Sequence, residues 1–509
     1  MSTTSGHTSA APATRSAPAA NAAQPGYRTL WRWHFYAGLF VMPLLIVLAV
    51  TGTIYCFQPQ IEPLLYPHRL VVAPAATPRL PTDALLARAQ AALPEGARAL
   101  RAHVEANPAR SAEFVFALPG GSKESVYVNP YDGEVLGTLD VDRRFMQVDR
   151  MLHRKLLLGK PGELLMELAA CWTLVMIGTG IALWWPRAGA SWRAALLPRL
   201  GARGRPFWKS VHASVGIWLA VGALAFVVSG LPWTGSWGKQ FKALATRANL
   251  GAPAGAWGGG LALKSALPGA PAAAAPAPSA ATTDAHAGHD MSSMPGMVMD
   301  DLPLPNVPWA VGAVGVPRSP DTAHAPGGGT VPHRWTLDQV VAQMRDLGID
   351  AGYDIVLPGK PDGVYTVSYF PADPKAERTL YIDQYNGSVL KDIRYADYGA
   401  VSQAISYGTS LHMGRYFGLA NQLICAAISL GLAALAVTGF VMWWLRRPAR
   451  TATGALGAPA RERAAPPLRA WKTGLVLLGI VFPLMGATLV AVWLLDRLAF
   501  GRATRLTAS

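Results

Sequence analysis

Four of the eleven histidines stand where an imidazole needs a reason. His34 and His212 each open a long apolar stretch, and His153 and His412 each precede one. A neutral imidazole can ligate a metal, relay a proton or hydrogen-bond across a helix interface. Polar groups beside lipid persist only where such a partner satisfies them. The spacing around these histidines repeats. His34 is followed by Gly38 and Gly52, and His212 by Gly216 and Gly230, at offsets of four and eighteen in both. His153 is followed by Gly159, Gly180 and Trp184-Trp185. His412 is followed by Gly418, Gly439 and Trp443-Trp444, at the same offsets of six, twenty-seven, thirty-one and thirty-two. Chance supplies one such match but hardly the set, so the chain reads as a tandem duplication whose halves run parallel.

The elements that must position these residues are membrane helices. Hydrophobic residues make up 51% of the 509 positions and charged ones 15%, a balance too apolar for a soluble protein of this length. The reading is an integral membrane protein, mainly α, with five transmembrane helices and two small α+β domains outside. A disordered cytoplasmic tail (1–27) leads into the first span (28–57) and the first outside domain (58–150). An interfacial helix and the second span follow (151–185), then a basic loop (186–209) and the third span (210–232). The second outside domain (233–410) carries an Ala, Pro and Gly-rich flexible insertion at 250–334. The fourth span and its approach (411–444), a second basic loop (445–470), a fifth span (471–495) and an outside tail (496–509) complete the chain. The N-terminal tail, the first loop and the stretch 445–472 hold sixteen Lys and Arg against one acid, Glu462. Their net charge equals the +15 of the whole protein, so the basic character is topology and not nucleic-acid binding. It places the short connections in the cytoplasm. An odd number of spans would leave the C-terminus outside.

Each outside segment contains a hairpin signal. Val126–Gly137 turns at Asp132-Gly133, and Leu380–Leu390 turns at Asn386-Gly387. Upstream strands are expected at Glu113–Leu118 and Val364–Phe370, and helices at Thr82–Ala92 and Thr336–Leu347.

With that topology, each face of the membrane receives one histidine from each half. His34 and His212 share the cytoplasmic side, and His153 and His412 the outer side. Two imidazoles from facing helices can grip haem iron axially. Gly38 and Gly216, one turn below the inner pair, would let a flat macrocycle lie against the backbone. Met151 and Met413 are spare ligands nearby. The competing readings are helix capping or interhelical hydrogen bonding, then quinone binding or coordination of another metal. No P-loop or dinucleotide fingerprint occurs, so an intrinsic flavin or nicotinamide site is not expected and the electron would come from a partner protein or a quinol. There is no CxxCH for covalent haem, and Cys56, Cys171 and Cys425 read as buried thiols.

Residues 286–299 form a second patch. His286, His289, Met291, Met294, Met297 and Met299 combine imidazole with thioether, a mixture that suits copper. Arg143, Arg144, Arg154, Arg394 and Arg415 cluster where the outside domains meet the membrane. They are candidate contacts for an anionic chelate, with lipid headgroups as the plainer partner.

The segments HFYAGLF at His34, LHRKLLLG at His153, VHASVGIW at His212 and LHMGRYFG at His412, with the two turn-strand segments, resemble the PepSY-associated transmembrane family of bacterial inner-membrane proteins. The likeness covers most of residues 28–445 apart from the insertion. It implies PepSY-like domains in the periplasm, two non-covalent b-type haems held by the four named histidines, and reduction of ferric siderophores. The expectation is a di-haem metalloreductase in the inner membrane that releases Fe(II) from a periplasmic ferric chelate. The alternatives are a copper(II) reductase using the same route, and a non-enzymatic scaffold or regulator whose outside domains bind protein.

Overall fold

The computed structural model describes residues 26–186, 191–253, 299–318, 334–447 and 469–500. The N-terminal tail, most of the insertion and much of the second basic loop lie outside the described residues.

The first half runs through α1 (Tyr27–Cys56), the short helices α2 (Gln58–Leu65) and α3 (Pro67–Leu70), and α4 (Thr82–Ala91). Strands β1 (Arg98–Val104), β2 (Ala112–Ala117), β3 (Lys123–Val128) and β4 (Val135–Asp140) follow, then α5 (Phe145–Lys155) and α6 (Gly159–Trp184). A short α7 (Trp192–Leu196) leads to the second half. This comprises α8 (Arg205–Gly230), α9 (Trp237–Arg247), α10 (Leu337–Asp346), β5 (Tyr353–Val356), β6 (Val364–Tyr369), β7 (Arg378–Asp383), β8 (Val389–Arg394), α11 (Ala400–His412) and α12 (Leu419–Trp444). Two further helices close the chain, α13 (Arg469–Val481) and α14 (Pro483–Phe500).

Among the described residues, four helices are long and apolar enough to cross a membrane: α1, α6, α8 with its 3-10 extension to Trp233, and α12. The protein is an integral membrane protein. These helices close a square in which α1 and α8 each pack on both α6 and α12, so α1 and α8 face each other across a diagonal.

The expected fifth span is not one helix. Pro483 has no N–H to give the Gly479 carbonyl, and its ring crowds that carbonyl, so the helix breaks at Phe482. The pieces hold 13 and 18 residues, short of the roughly 20 a span needs. They fold against each other at Gly479 and Gly486, where a methyl added to Gly486 would fall 2.5 Å from the Gly479 oxygen. Leu475, Phe482 and Met485 bury against Ala37, Val41 and Trp172 of the square. The Trp237 indole donates to the Val481 carbonyl at the break (2.7 Å). The outside placement of the C-terminus rested on an unbroken fifth span and loses that basis.

The two outside domains are also not separate. Both hairpins form where expected, but the eight strands make one antiparallel sheet in the order β4-β3-β2-β1-β5-β6-β7-β8. The joint is β1 against β5, with Ala102 opposite Ile355 and His103 opposite Asp354. One face is covered by α4 and α10 over a continuous core that includes Leu85, Phe114, Val126, Met344, Tyr353 and Leu380. The two helices cap each other. Asp338 accepts from the Thr82 and Asp83 amides, and Asp83 accepts from the Leu337 and Asp338 amides. Because one sheet takes strands from both outside segments, both lie at the same end of the helical square.

The other face, turned toward the square, holds buried charge in the first half. Arg101 pairs with Asp354 across the joint (2.7 Å), and Arg144 bridges Glu62 of α2 (2.8 Å) and Glu113 of β2 (3.0 Å). Burial opposes the Glu113 charge, but Arg101 and Arg144 outweigh it and hold the carboxyl down at about 2. In the second half this face carries Val364, Tyr381 and Ile393 beside buried Thr366, Ser368 and Thr379, and residues 299–316 of the insertion cover its apolar part. Met299, Val311 and Val314 bury against Tyr381, Ile393 and Tyr398. The Trp309 indole donates to the Pro232 carbonyl (2.9 Å). The expectation of flexibility throughout 250–334 therefore fails for this strap, whose apolar residues find a sheet face to cover.

Removing one partner of the cross-joint pair should cost far more than a surface charge would. In Asp354→Ala, Arg101 is left buried without its nearest counter-charge, an effect of about 3–5 kcal/mol. Thermal unfolding of the detergent-solubilised chain checks this, and a change below about 1 kcal/mol would mean the joint does not depend on the pair.

Candidate functional site

Each of the four long helices carries a Ser or Thr followed by Gly: Thr51-Gly52 on α1, Thr179-Gly180 on α6, Ser229-Gly230 on α8 and Thr438-Gly439 on α12. Each pair holds one of the four histidines. His34 Nδ1 lies 3.0 Å from Thr179 Oγ1 and His212 Nδ1 lies 2.9 Å from Thr438 Oγ1. His153 Nδ1 lies 2.9 Å from Thr51 Oγ1 and His412 Nδ1 lies 2.8 Å from Ser229 Oγ. The glycine makes room for the ring. A methyl added to Gly52, Gly180, Gly230 or Gly439 would sit 3.2 to 3.6 Å from Cε1 of its histidine.

The hydroxyls settle which ring nitrogen carries the proton. A hydroxyl has one proton to give. Thr51, Thr179 and Ser229 each give it to the carbonyl four residues back (2.6 Å), and Thr438 gives it to Leu435 (3.0 Å). Each oxygen is then left to accept from Nδ1–H. Each of the four imidazoles thereby carries a proton on Nδ1, and in the neutral ring the Nε2 lone pair is free of these bonds.

The rings are brought together in cross-half pairs. His34 from α1 and His212 from α8 reach across the diagonal of the square, with ring centroids 6.2 Å apart and planes at 85°. His153 lies in the last turn of α5 and His412 ends α11, so both enter at the sheet end, within electrostatic reach of each other. All four retain partial solvent access. A methyl added to Gly38 or Gly216 would not reach the rings. Gly38 faces Met176 of α6 and Gly216 faces Leu435 of α12, and the close glycine contacts to the rings belong to the four Ser/Thr-Gly pairs.

The arginines separate into two groups. Arg143 has a side chain 90% exposed, near Asp140 (3.8 Å). Arg144 is committed to Glu62 and Glu113, and Arg394 to Asp392 (2.7 Å). Arg144 and Arg394 are thus held by carboxylates, while Arg143 points to solvent. Arg154 and Arg415 have no carboxylate within ion-pair distance among the described residues, and Arg150 joins them in this. Arg150 was not legible in sequence because nothing marks an arginine one turn before a histidine until the helix is placed.

Met299 leaves the expected soft-metal patch. It is fully buried, and its sulfur accepts from Tyr381 Oη (3.6 Å). His286, His289, Met291, Met294 and Met297 lie outside the described residues. The thiols of Cys56, Cys171 and Cys425 are free and buried. Beside the sheet-end pair, Glu377 accepts from Ser406 of α11 (3.0 Å), two turns before His412. Burial pushes its carboxyl up to about 7, against the pull of Ser406 and Arg415.

Two outcomes follow from these bonds. In 15N-histidine spectra of metal-free protein, His34 should show the Nδ1–H tautomer and lose that preference in Thr179→Val; an Nε2–H tautomer in the unmodified chain would contradict the hydroxyl argument. The raised Glu377 pKa stabilises the fold below the unfolded value of 4.5, a contribution lost as pH rises through about 7. Glu377→Gln should flatten the unfolding temperature across that window, and an unchanged slope would assign the dependence elsewhere.

A family model described as the PepSY-associated TM region matches residues 31–446, which contain all four histidines and their four Ser/Thr-Gly partners. No curated protein matches the chain.

Proposed function

The chain belongs to the PepSY-associated TM family, and from its two cross-half imidazole pairs we propose that it is a transmembrane metalloreductase holding two b-type haems, His34 with His212 and His153 with His412. It passes single electrons from a quinol or donor protein on the cytoplasmic side of the inner membrane to a ferric chelate in the periplasm, where Fe(III) becomes Fe(II) and is released. The basic short connections support that orientation, with the sheet in the periplasm.

The observation that carries the proposal is the hydroxyl contact made by each of the four Nδ1 atoms. Four Nε2 lone pairs, each freed by an Nδ1–H bond to a hydroxyl, are a donor set for metal. The spacing fits as well. With metal–nitrogen bonds of about 2 Å on either side, two imidazoles on one ion have ring centroids roughly 6 Å apart, and those of His34 and His212 are 6.2 Å apart. Among the described residues, no group of three or more His, Cys, Asp or Glu is placed to hold a bare ion. A metal with two protein ligands needs its other positions filled by something else, and a porphyrin supplies four nitrogens. Bound there, haem would supply reversible one-electron chemistry at both ends of the square.

The chain's own part is positioning. The hydroxyls fix ring orientation and make each imidazole a stronger donor, and the apolar helices exclude water between the two sites. Because each pair takes one ring from each half, either site holds its metal only while the halves stay in register, which the shared sheet enforces.

A reduced-minus-oxidised absorption spectrum of the purified chain tests the reading. It should show the sharp α and β bands of bis-histidine haem. His34→Ala and His212→Ala should each remove about half the haem, and Thr179→Val should weaken retention by about 10–100-fold. Protein free of haem when purified from haem-replete cells would return the chain to a scaffold role.

A further inference from the structure

Three arginines at the sheet end of the square lack a carboxylate partner among the described residues. The buried or half-buried Arg101, Arg144, Arg378 and Arg394 all meet a carboxylate within 3.0 Å. Arg150 and Arg154 of α5, and Arg415 just past α11, meet none within 4.0 Å among the described residues, although all three lie in electrostatic reach of Tyr55 at the end of α1. Arg150 Nε and Arg415 Nη1 are buried with no hydrogen-bond partner. Asp149, beside Arg150, forms no ion pair with them and keeps its own Oδ2 unpartnered. Glu163, Asp300 and Glu377 act on the group only at longer range. A half-buried charge without a counter-ion is costly, and Arg150 and Arg415, with Arg154 exposed, offer such charge to an anion.

The position narrows what that anion is. Arg150 donates to the Pro305 carbonyl of the 299–316 strap, and Arg415 donates to the Phe370 carbonyl and stacks on the Phe370 ring (4.7 Å). Both guanidiniums therefore look into the seam between sheet and helices and away from the lipid-facing surface. Arg154 is the exposed member and stands at the rim. It follows His153 directly in the last turn of α5. Guanidinium forks match carboxylates in a bidentate way, which neutral oxygen donors do not offer.

We infer that Arg150, Arg154 and Arg415 form a carboxylate-binding site, and that its occupant is an iron chelate of the polycarboxylate class, such as a ferric citrate complex. The inference rests on the metalloreductase reading for its meaning, but its binding chemistry stands apart from haem. The other source of carboxylates at this end is the cofactor's own propionates, and the experiment separates the two.

Redox-inert gallium(III) citrate and a gallium(III) trihydroxamate, which lacks carboxylates, are titrated by calorimetry into the full-length solubilised chain. Gallium citrate should bind. Arg150→Gln and Arg415→Gln should each weaken it by roughly tenfold to a hundredfold, with trihydroxamate binding and haem content unchanged. Arg150→Lys, which keeps the charge and loses the fork, should fall between, and Lys123→Gln at the exposed start of β3 should match the parent. Equal loss for both chelates, or no loss for either, overturns the inference. Loss of haem in the arginine variants assigns the site to propionates and overturns it too. Arginine-dependent citrate binding by a haem-free chain would keep this site and remove the electron-transfer reading. Haem-loaded protein whose citrate binding ignores the arginines would do the reverse.

Discussion

A single hydrogen-bonding constraint organises the helical part of the molecule. A hydroxyl on a long helix gives its proton to the preceding turn and can then only accept, so the imidazole that meets it must donate from Nδ1. The bond fixes a tautomer, orients a ring and joins two helices at once. It recurs four times and determines the packing that follows. The square of helices is held at one end by His34 on α6 and His212 on α12. At the other end, α5 and α11 are drawn onto α1 and α8. The glycine after each hydroxyl is needed because the ring lies where a side chain would be.

The sheet supports the same geometry from outside the membrane. Imidazoles that come from different halves stay paired only if the halves do not slide, and a β-joint with fixed register resists sliding. The cross-joint ion pair and the reciprocal caps of Asp83 and Asp338 add specific contacts at that seam. The charged face in the first half and the strap over the second then seat the sheet on the helices.

Much of this was legible in the chain itself. Four spans, the duplication, both hairpins and the pairing of histidines across halves follow from hydropathy, glycine offsets and turn residues. The hydroxyls were present as a repeated Ser/Thr-Gly dipeptide, but a threonine inside an apolar helix carries no sign of what it touches until the helices are packed. The joint was hidden for a different reason. β1 places Arg98, Arg101 and His103 among apolar residues, and β5 has only four residues, so neither reads as a strand without its neighbour. The broken fifth helix was marked by Pro483, but a proline gives the site of a bend and not its size. The strap at 299–316 sits beside low-complexity sequence, and its composition concealed Met299, Trp309 and Val311 as core residues.

The β1–β5 joint is made by corresponding strands of the two repeats, running antiparallel, with each repeat's helix capping the other's. That is the arrangement of a twofold symmetric homodimer, in which one surface meets its own copy. Linking the copies in one chain frees them from having to be identical. A subunit that must pair with itself cannot place a residue on one side alone, whereas here α5 contributes two of the unpaired arginines and the second half only one. The fusion thus lets a symmetric frame carry an asymmetric set of arginines at its sheet end.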